Sequence, residues 1–162
     1  MRAGRGPIGA ILGAMTLALA GCGGAETDTS ADGGVAEVRI GSDDQMRFDI
    51  DEFTVSPGQQ VRLTLDHNGQ MSVEQMGHNV AILQAGEDPI AFGNEVGREG
   101  GNMDNEYVPE SMRNRVVAFT RMIGGGESDT IEFTAPDETG EYPFVCTFPG
   151  HFSIMRGVMI VE

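Results

Sequence analysis

The chain has 162 residues, of which 40% are hydrophobic, so it is long enough for one globular domain with its own core. Its 10 basic residues, all of them arginine, are outnumbered by 25 acidic residues, which gives a formal net charge of −15 at pH 7. A surface this acidic repels the phosphate backbone and excludes nucleic acid as a partner, and it favours either basic protein partners or simple solubility.

The first 21 residues predict a secretory signal. Arg2 and Arg5 precede an apolar run over residues 8–20 that ends in small residues. The run is shorter than the roughly 20 residues of a membrane-spanning helix, which favours cleavage over retention as an anchor. We therefore expect an exported protein that loses residues 1–21.

Cys22 lies at the predicted cleavage site. Residues 19–22, Leu-Ala-Gly-Cys, resemble the bacterial lipobox, and this resemblance implies diacylglycerol on the Cys22 sulfur. The alternative is a disulfide with Cys146, the other cysteine of the sequence, which an oxidising compartment permits. Lipid on Cys22 would hold the mature protein on a membrane of the cell envelope, facing the periplasm or the cell exterior. The small and polar residues 23–34 would then form a flexible tether.

Residues 35–162 form the predicted folded domain, which contains short stretches with the alternation or β-branched content of strands. In one of them Val61, Leu63 and Leu65 alternate with polar residues, which suits a strand with one face on a core. The predicted strands span residues 35–40, 53–55, 60–66, 79–83, 115–120, 128–134, 141–146 and 157–161. Eight short strands in an all-β chain predict a two-sheet β-sandwich.

Between residues 84 and 114 this alternation disappears. Asp88 followed by Pro89 is typical of a helix start, because proline is tolerated at the first helical position. The segment is predicted to be one short helical excursion outside the sandwich.

Three metal-binding residue types lie close together near the end of the chain. Cys146 ends a predicted strand, His151 follows in the next loop, and Met155 comes three intervening residues later. Two histidines and a cysteine in a trigonal arrangement, with a long axial methionine, form a site that accommodates both Cu(I) and Cu(II). The alternatives are a buried thiol beside a core methionine, or a nucleophile and base formed by Cys146 and His151.

The second histidine of such a site is either His67 or His78, because the sequence has three histidines. His78 follows Gly77, which lets backbone approach a ligand closely, and it opens a predicted apolar strand. His67 lies in a turn pattern, where an exposed or structural histidine is expected. Context therefore favours His78.

The motif Cys-Thr-Phe-Pro-Gly-His at residues 146–151, followed by Met155, closely resembles azurins and auracyanins, which are blue copper proteins of the cupredoxin type. Residues 76–79, Met-Gly-His-Asn, belong to the same resemblance, as do residues 44–46, 123–127 and Gly157. The three residues between His151 and Met155 match the azurin spacing. The resemblance implies a Greek-key β-sandwich that binds one copper ion.

The resemblance also implies roles for individual residues. His78, Cys146 and His151 would be the equatorial ligands of the copper, and Met155 would be a weak axial ligand. The Gly77 carbonyl would be a distant axial contact on the opposite side. Two further residues would lie beside the ligands, Asn79 and Phe148. Of these, Asn79 would hold the ligand loops together and donate a hydrogen bond toward the thiolate.

By the same resemblance, an exposed apolar patch would surround the His151 edge and receive redox partners. Its expected members are Met46, Met76, Phe148 and Phe152. As isolated residues they would more simply fill the top of the sandwich. His67 resembles an azurin histidine whose protonation follows the redox state, and a purely structural role is the alternative.

Some features depart from azurins. The mature chain has no cysteine pair for the azurin disulfide, and the sequence contains no tryptophan for the core. Neither difference touches the predicted ligands. We expect a protein that is not an enzyme, has no small-molecule substrate, and shuttles electrons between redox proteins or membrane electron-transfer complexes. A copper carrier or storage protein is the alternative, and a copper enzyme with an open coordination position is disfavoured because Met155 closes the ligand set.

Overall fold

The computed structural model describes residues 34–162, together with Met1. Eight strands and two α-helices make up this part of the chain. The strands are β1 (Ala36–Ser42), β2 (Glu52–Val55), β3 (Gln60–His67), β4 (Ala81–Leu83), β5 (Val116–Phe119), β6 (Ser128–Thr134), β7 (Gly140–Val145) and β8 (Arg156–Val161). The helices are α1 (Val73–Met76) and α2 (Pro89–Arg98), and three 3₁₀ helices span Met103–Asn105, Glu110–Arg115 and His151–Ser153.

The strands form two sheets. The smaller sheet has the order β1-β3-β6, and the larger has the order β2-β8-β7-β4-β5. β1 runs parallel to β3 and β2 runs parallel to β8, whereas the other neighbours are antiparallel. The prediction of an all-β, two-sheet sandwich is confirmed, and the crossovers between non-consecutive strands are those expected of a Greek key.

Alternation along the strands builds the core between the sheets. In β3 the side chains of Val61, Leu63 and Leu65 are buried, and Arg62 between them is exposed. Phe144 of β7 packs against Phe53 of β2, with ring centroids 5.6 Å apart. The period-2 pattern that predicts strands in the sequence is therefore also the pattern that fills the space between the sheets.

The excursion begins as the sequence predicts. The Asp88 carboxylate accepts hydrogen bonds from the backbone N–H groups of Ile90 and Ala91 and caps α2, in which Pro89 is the first residue. Arg115 ties this helix to the sheet, because its guanidinium forms ion pairs with Glu87 and Glu95. The helix and its neighbours form a second core cluster beside the larger sheet.

The predicted boundaries differ from the structure mainly at β4. The sequence predicts a strand from residue 79, and β4 begins at Ala81. The ladder is interrupted before it because the Val80 N–H donates to the Thr120 side-chain oxygen, and His78 pairs separately with Ile123. The sequence pattern also did not predict α1 or the 3₁₀ helices, which are too short to show helical periodicity.

Among residues 34–162, no helix is both long enough and apolar enough to cross a membrane. The predicted signal, the lipid on Cys22 and almost all of the tether fall on residues 2–33, outside the described part of the chain.

Helix α2 packs closely on the loop that contains His151. Gly93 of the helix is buried against the Phe152 ring, and a Cβ atom at residue 93 would lie 2.5 Å from the Phe152 Cβ. Gly97, one turn later, is exposed, and a Cβ there would meet nothing within 4 Å. The two glycines are thus a matched pair on one helix.

We expect Gly93→Ala to lower the free energy of unfolding by about 1–3 kcal/mol, because the new methyl group overpacks the contact with Phe152. Gly97→Ala is the control, and it should raise the free energy of unfolding by up to about 1 kcal/mol, because alanine is the better helix former. Urea denaturation of the copper-free protein measures both. Equal effects of the two substitutions would show that Gly93 is not required for close packing.

Candidate metal centre

Three buried side chains from two distant segments meet at one end of the sandwich. His78 follows α1 and forms an isolated β-bridge with Ile123, and Cys146 follows the last residue of β7. His151 begins the 3₁₀ helix after a turn at Gly150, whose φ of 85° is in the left-handed region that favours glycine. His78 and Cys146 are fully buried, and His151 is 4% exposed.

The ligand atoms of these residues form a small triangle. The Cys146 Sγ atom lies 3.9 Å from His78 Nδ1 and 3.7 Å from His151 Nδ1, and the two nitrogens are 3.2 Å apart. A point equidistant from the three corners of such a triangle is about 2.1 Å from each, which is the length of a bond from a transition metal to nitrogen or sulfur. The triangle therefore fits one metal ion.

The tautomer of His78 is determined by its environment. His78 Nε2 lies 2.8 Å from the Asp43 carbonyl oxygen, which can only accept a hydrogen bond, so Nε2 carries the proton. The Nδ1 lone pair is then free and points toward Cys146 and His151. A hydrogen bond of this kind on the outer nitrogen is the usual way in which proteins orient a metal-binding histidine.

Burial sets the protonation of the site. It lowers the pKa of His151 to about 4, with help from the neighbouring histidines, and it also lowers the pKa of His78. Both rings are therefore neutral at pH 7. Burial raises the pKa of the Cys146 thiol to about 12, although hydrogen bonds from the backbone N–H groups of Asn79 and Phe148 act in the opposite direction. A metal ion that binds here has to displace the thiol proton.

Comparisons with known proteins agree with this geometry. Residues 35–162 match the family described as copper binding proteins, plastocyanin/azurin family. The chain belongs to this family. It is 38% identical to azurin-1 of Alcaligenes xylosoxydans xylosoxydans over 125 residues, which cover 75% of this chain and 94% of the relative. It is 34% identical to auracyanin-A of Chloroflexus aurantiacus over 159 residues, which cover 94% of each chain.

Solved structures give the same result. The crystal structure of dithionite-reduced auracyanin from Roseiflexus castenholzii superposes with a TM-score of 0.67 and 35% sequence identity. The match covers 78% of this chain and 96% of that one. The predicted resemblance to azurins and auracyanins is thereby confirmed, and His78, Cys146 and His151 of this cupredoxin are arranged to bind one copper ion.

The structure places Met155 and Gly77 beside this trio. Met155 is fully buried, its N–H donates to the His151 carbonyl at 2.8 Å, and its carbonyl accepts from the Cys146 N–H at 2.9 Å. The Gly77 carbonyl oxygen lies 3.9 Å from Cys146 Sγ. A Cβ on Gly77 would lie 2.5 Å from the Val73 carbonyl oxygen, so the close packing of residue 77 against α1 requires glycine.

Asn79 joins the two segments that contain the ligands. Its side-chain oxygen accepts from the Thr147 N–H at 2.8 Å, and its Nδ2 atom lies 2.8 Å from the Thr147 hydroxyl oxygen. Nδ2 also donates to the Glu106 carbonyl at 2.9 Å. The buried amide thus fixes Thr147, the residue after Cys146, to the residue after His78.

His67 is buried, and the exposed alternative is excluded. Its ring stacks on that of His78 with centroids 4.3 Å apart, and it is hydrogen-bonded at both nitrogens. Nε2 donates to the Met76 carbonyl at 2.9 Å, and Nδ1 accepts from the Gly69 N–H at 3.1 Å. These contacts give His67 a structural role, and the link between its protonation and the redox state stays a prediction.

The four residues predicted to form an apolar patch, Met46, Met76, Phe148 and Phe152, are all half-buried. The Phe148 ring contacts that of His151, with centroids 4.6 Å apart, and Phe152 packs on Gly93. The prediction did not include Ile154, which is 56% exposed between His151 and Met155. The sequence did contain a signal for it, because Ile154 is a large apolar residue in the loop between two predicted ligands.

Proposed function

We propose that this cupredoxin transfers single electrons between redox partners while it is tethered to a membrane. The observation that supports the proposal most directly is the buried triangle of His78 Nδ1, Cys146 Sγ and His151 Nδ1, which is preformed at metal-binding distances. A copper ion bound there supplies a one-electron Cu(I)/Cu(II) couple. The surrounding side chains would complete the ligand set, hold the ligands in place and form the surface that a redox partner contacts.

The fourth and fifth contacts proposed for the ion are the Met155 sulfur and the Gly77 carbonyl. Two features support them. Met155 is fully buried and its backbone is hydrogen-bonded to both Cys146 and His151, so it has little freedom to move away. The Gly77 oxygen already lies in van der Waals contact with the thiol.

Rigidity of the ligands favours fast electron transfer. His78 is held through Nε2 by Asp43, and Cys146 is flanked by Thr147, which is bonded to Asn79. Ligands that cannot rearrange keep the reorganisation small when the charge of the site changes. The same burial keeps the three ligands away from solvent, which supports a role other than that of an enzyme acting on a small molecule.

His151 provides the proposed route for the electron, because it alone of the three ligands retains some exposure. Phe148 lies against its ring, and Ile154 projects from the same loop. A small apolar surface suits brief, weak contacts with a redox partner. We propose that Met46, Met76, Phe148, Phe152 and Ile154 form this docking surface.

Three observations support tethering. The lipobox-like residues 19–22 end in Cys22, and Cys146 is committed to the copper site and unavailable as its disulfide partner. The match with auracyanin-A covers 94% of this chain, so it extends into the segment before residue 34. We propose that Cys22 carries lipid and holds the protein on a membrane outside the cytoplasm.

The copper site is tested by reconstitution of residues 23–162 with Cu(II). We expect an intense thiolate-to-copper absorption band at roughly 600 nm and the electron paramagnetic resonance spectrum of a trigonal blue site. Cys146→Ala should abolish the band, because it removes the thiolate that produces it. Thr147→Ser, which retains the hydroxyl group, is the control and should remain blue. A colourless wild-type protein would exclude a blue copper site.

Voltammetry of the same sample separates electron transfer from copper transport. An electron-transfer protein should show a reversible wave and retain its copper in both oxidation states. A carrier or storage protein should instead lose Cu(I) to a chelator within the time of the scan.

The docking surface is tested by the rate of electron self-exchange in mixtures of the Cu(I) and Cu(II) proteins, measured from NMR line broadening. We expect Ile154→Glu to slow exchange by about tenfold or more, because a charge replaces apolar contact at the docking surface. Val35→Glu is the matched control, since Val35 is 47% exposed and precedes β1 at the end far from Asp43. Equal slowing by both substitutions would contradict docking at Ile154.

The anchor is tested by cell fractionation and mass spectrometry. The mature protein should be found in the membrane fraction, begin at Cys22 and carry the mass of diacylglycerol and a further acyl chain. Residues 23–162 exported behind the signal peptide of a soluble periplasmic protein are the control, and they should move to the soluble fraction. A mature protein with an unmodified Cys22 thiol, or with a disulfide to Cys146, would rule out the tether.

A further inference from the structure

The excursion contains an unusual pair of backbone conformations. Glu106 and Tyr107 both have left-handed φ angles, of 55° and 53°, and neither is glycine. Residues other than glycine, asparagine and aspartate rarely adopt this conformation, because their Cβ atom comes too close to the following carbonyl oxygen. Two such residues in succession persist only where surrounding contacts hold them, and such positions cluster at functional sites.

Two strong contacts hold Glu106, one at its side chain and one at its main chain. Its carboxylate oxygen Oε2 accepts a hydrogen bond from the Met122 N–H at 2.5 Å. Its carbonyl oxygen accepts from Asn79 Nδ2 at 2.9 Å. The left-handed turn is what allows one residue to present both oxygens to different parts of the sandwich.

Each of these contacts leads to a copper ligand. Met122 precedes Ile123, whose N–H and carbonyl both pair with the backbone of His78, at 2.9 and 3.0 Å. Asn79 is bonded to Thr147, which follows Cys146, and its own N–H points at the Cys146 sulfur. Glu106 is therefore joined to both ligand segments without touching either ligand.

We propose that Glu106 is a positioning residue for the copper site. Its carbonyl occupies one hydrogen of the Asn79 amide, and the Thr147 hydroxyl occupies the other, so the Asn79 oxygen can only face the Thr147 N–H. The amide orientation fixes the Asn79 backbone and keeps its N–H aimed at the thiolate. The carboxylate bond to Met122 anchors this arrangement. This inference rests on the electron-transfer function proposed above, because the effect of Glu106 on the copper site matters only if the site transfers electrons.

A purely local role for Glu106 is less consistent with the contacts. The turn before it already has its own local support, because Asn102 and Asn105 form a reciprocal capping box and Asn105 Nδ2 donates to the Gly100 carbonyl. Those bonds remain within the excursion. The N–H of Glu106 also bonds locally, to the Met103 carbonyl, but both of its oxygens that accept hydrogen bonds do so from outside the excursion, from Met122 and Asn79.

The test compares Glu106→Ala with Glu106→Gln in the full-length mature protein. Both substitutions remove the same negative charge, and only glutamine retains an oxygen that can accept the Met122 N–H. In the copper-free protein, the Asn79 side-chain amide protons should exchange with solvent about tenfold faster in Glu106→Ala, the factor that corresponds to one lost hydrogen bond. Glutamine should preserve the wild-type rate.

The copper-loaded forms give a second readout. Glu106→Ala should have a lower reduction potential than Glu106→Gln and a shifted thiolate-to-copper band, because the hydrogen bond from the Asn79 N–H to the thiolate is weakened. Asn105→Ala is the control for damage to the excursion alone, and it should lower stability without moving the potential. Glu106→Asp, which keeps the charge but retracts the carboxylate, serves if the alanine variant does not fold, and it should change both readouts in the same direction.

Identical amide exchange and potential in the alanine and glutamine variants would overturn the proposal. So would a potential shift of equal size in Asn105→Ala. Failure of the electron-transfer function is distinguished by the wild type, whose voltammetric wave would then be irreversible, while amide exchange in the copper-free protein would still decide the role of Glu106.

Discussion

The copper site depends on the hydrogen bonds between the side chain of Asn79 and Thr147. His78 and Cys146 are 68 residues apart in the chain, and each lies next to one partner of this interaction. The bonds are buried, so water does not compete for them, and an amide left unpaired there would carry a desolvation cost of about 1–3 kcal/mol. These bonds therefore fix the distance between the residue after His78 and the residue after Cys146.

The sandwich provides the setting for that interaction. β4 and β7 are neighbours in the larger sheet, with Ala81 opposite Val145, so the residues just before β4 and just after β7 emerge side by side. The 3₁₀ helix that begins at His151 returns the chain to β8, which pairs with the other edge of β7. His78 and Cys146 therefore lie beside each other at the ends of two adjacent strands, and the 3₁₀ helix between β7 and β8 places His151 next to them.

The sequence was sufficient for most of the fold and for the three residues that meet at the site, His78, Cys146 and His151, for identifiable reasons. Val61, Leu63 and Leu65 show an alternation that reflects burial directly, and Cys146, His151 and Met155 lie close enough in sequence for their spacing to carry information. The role of Glu106 depends on contacts with residues 16 and 27 positions away, and no local pattern contains them. Phe152 is half-buried and Ile154 is exposed because α2 packs closely on Phe152 at Gly93. A single glycine in the sequence does not predict this contact.

The ligand triangle has a further consequence for how the protein acquires its metal. Its three donor atoms are already at bonding distance from a common centre, and two of them belong to neutral imidazoles that need no proton removed. Such a site ranks divalent ions largely by their intrinsic affinity for nitrogen and sulfur, an order in which Cu²⁺ exceeds Zn²⁺ without excluding it. Correct metallation therefore depends on the supply of ions where the protein folds. Export, as proposed above, would make the chain fold in a different metal pool from the one in which it is synthesised.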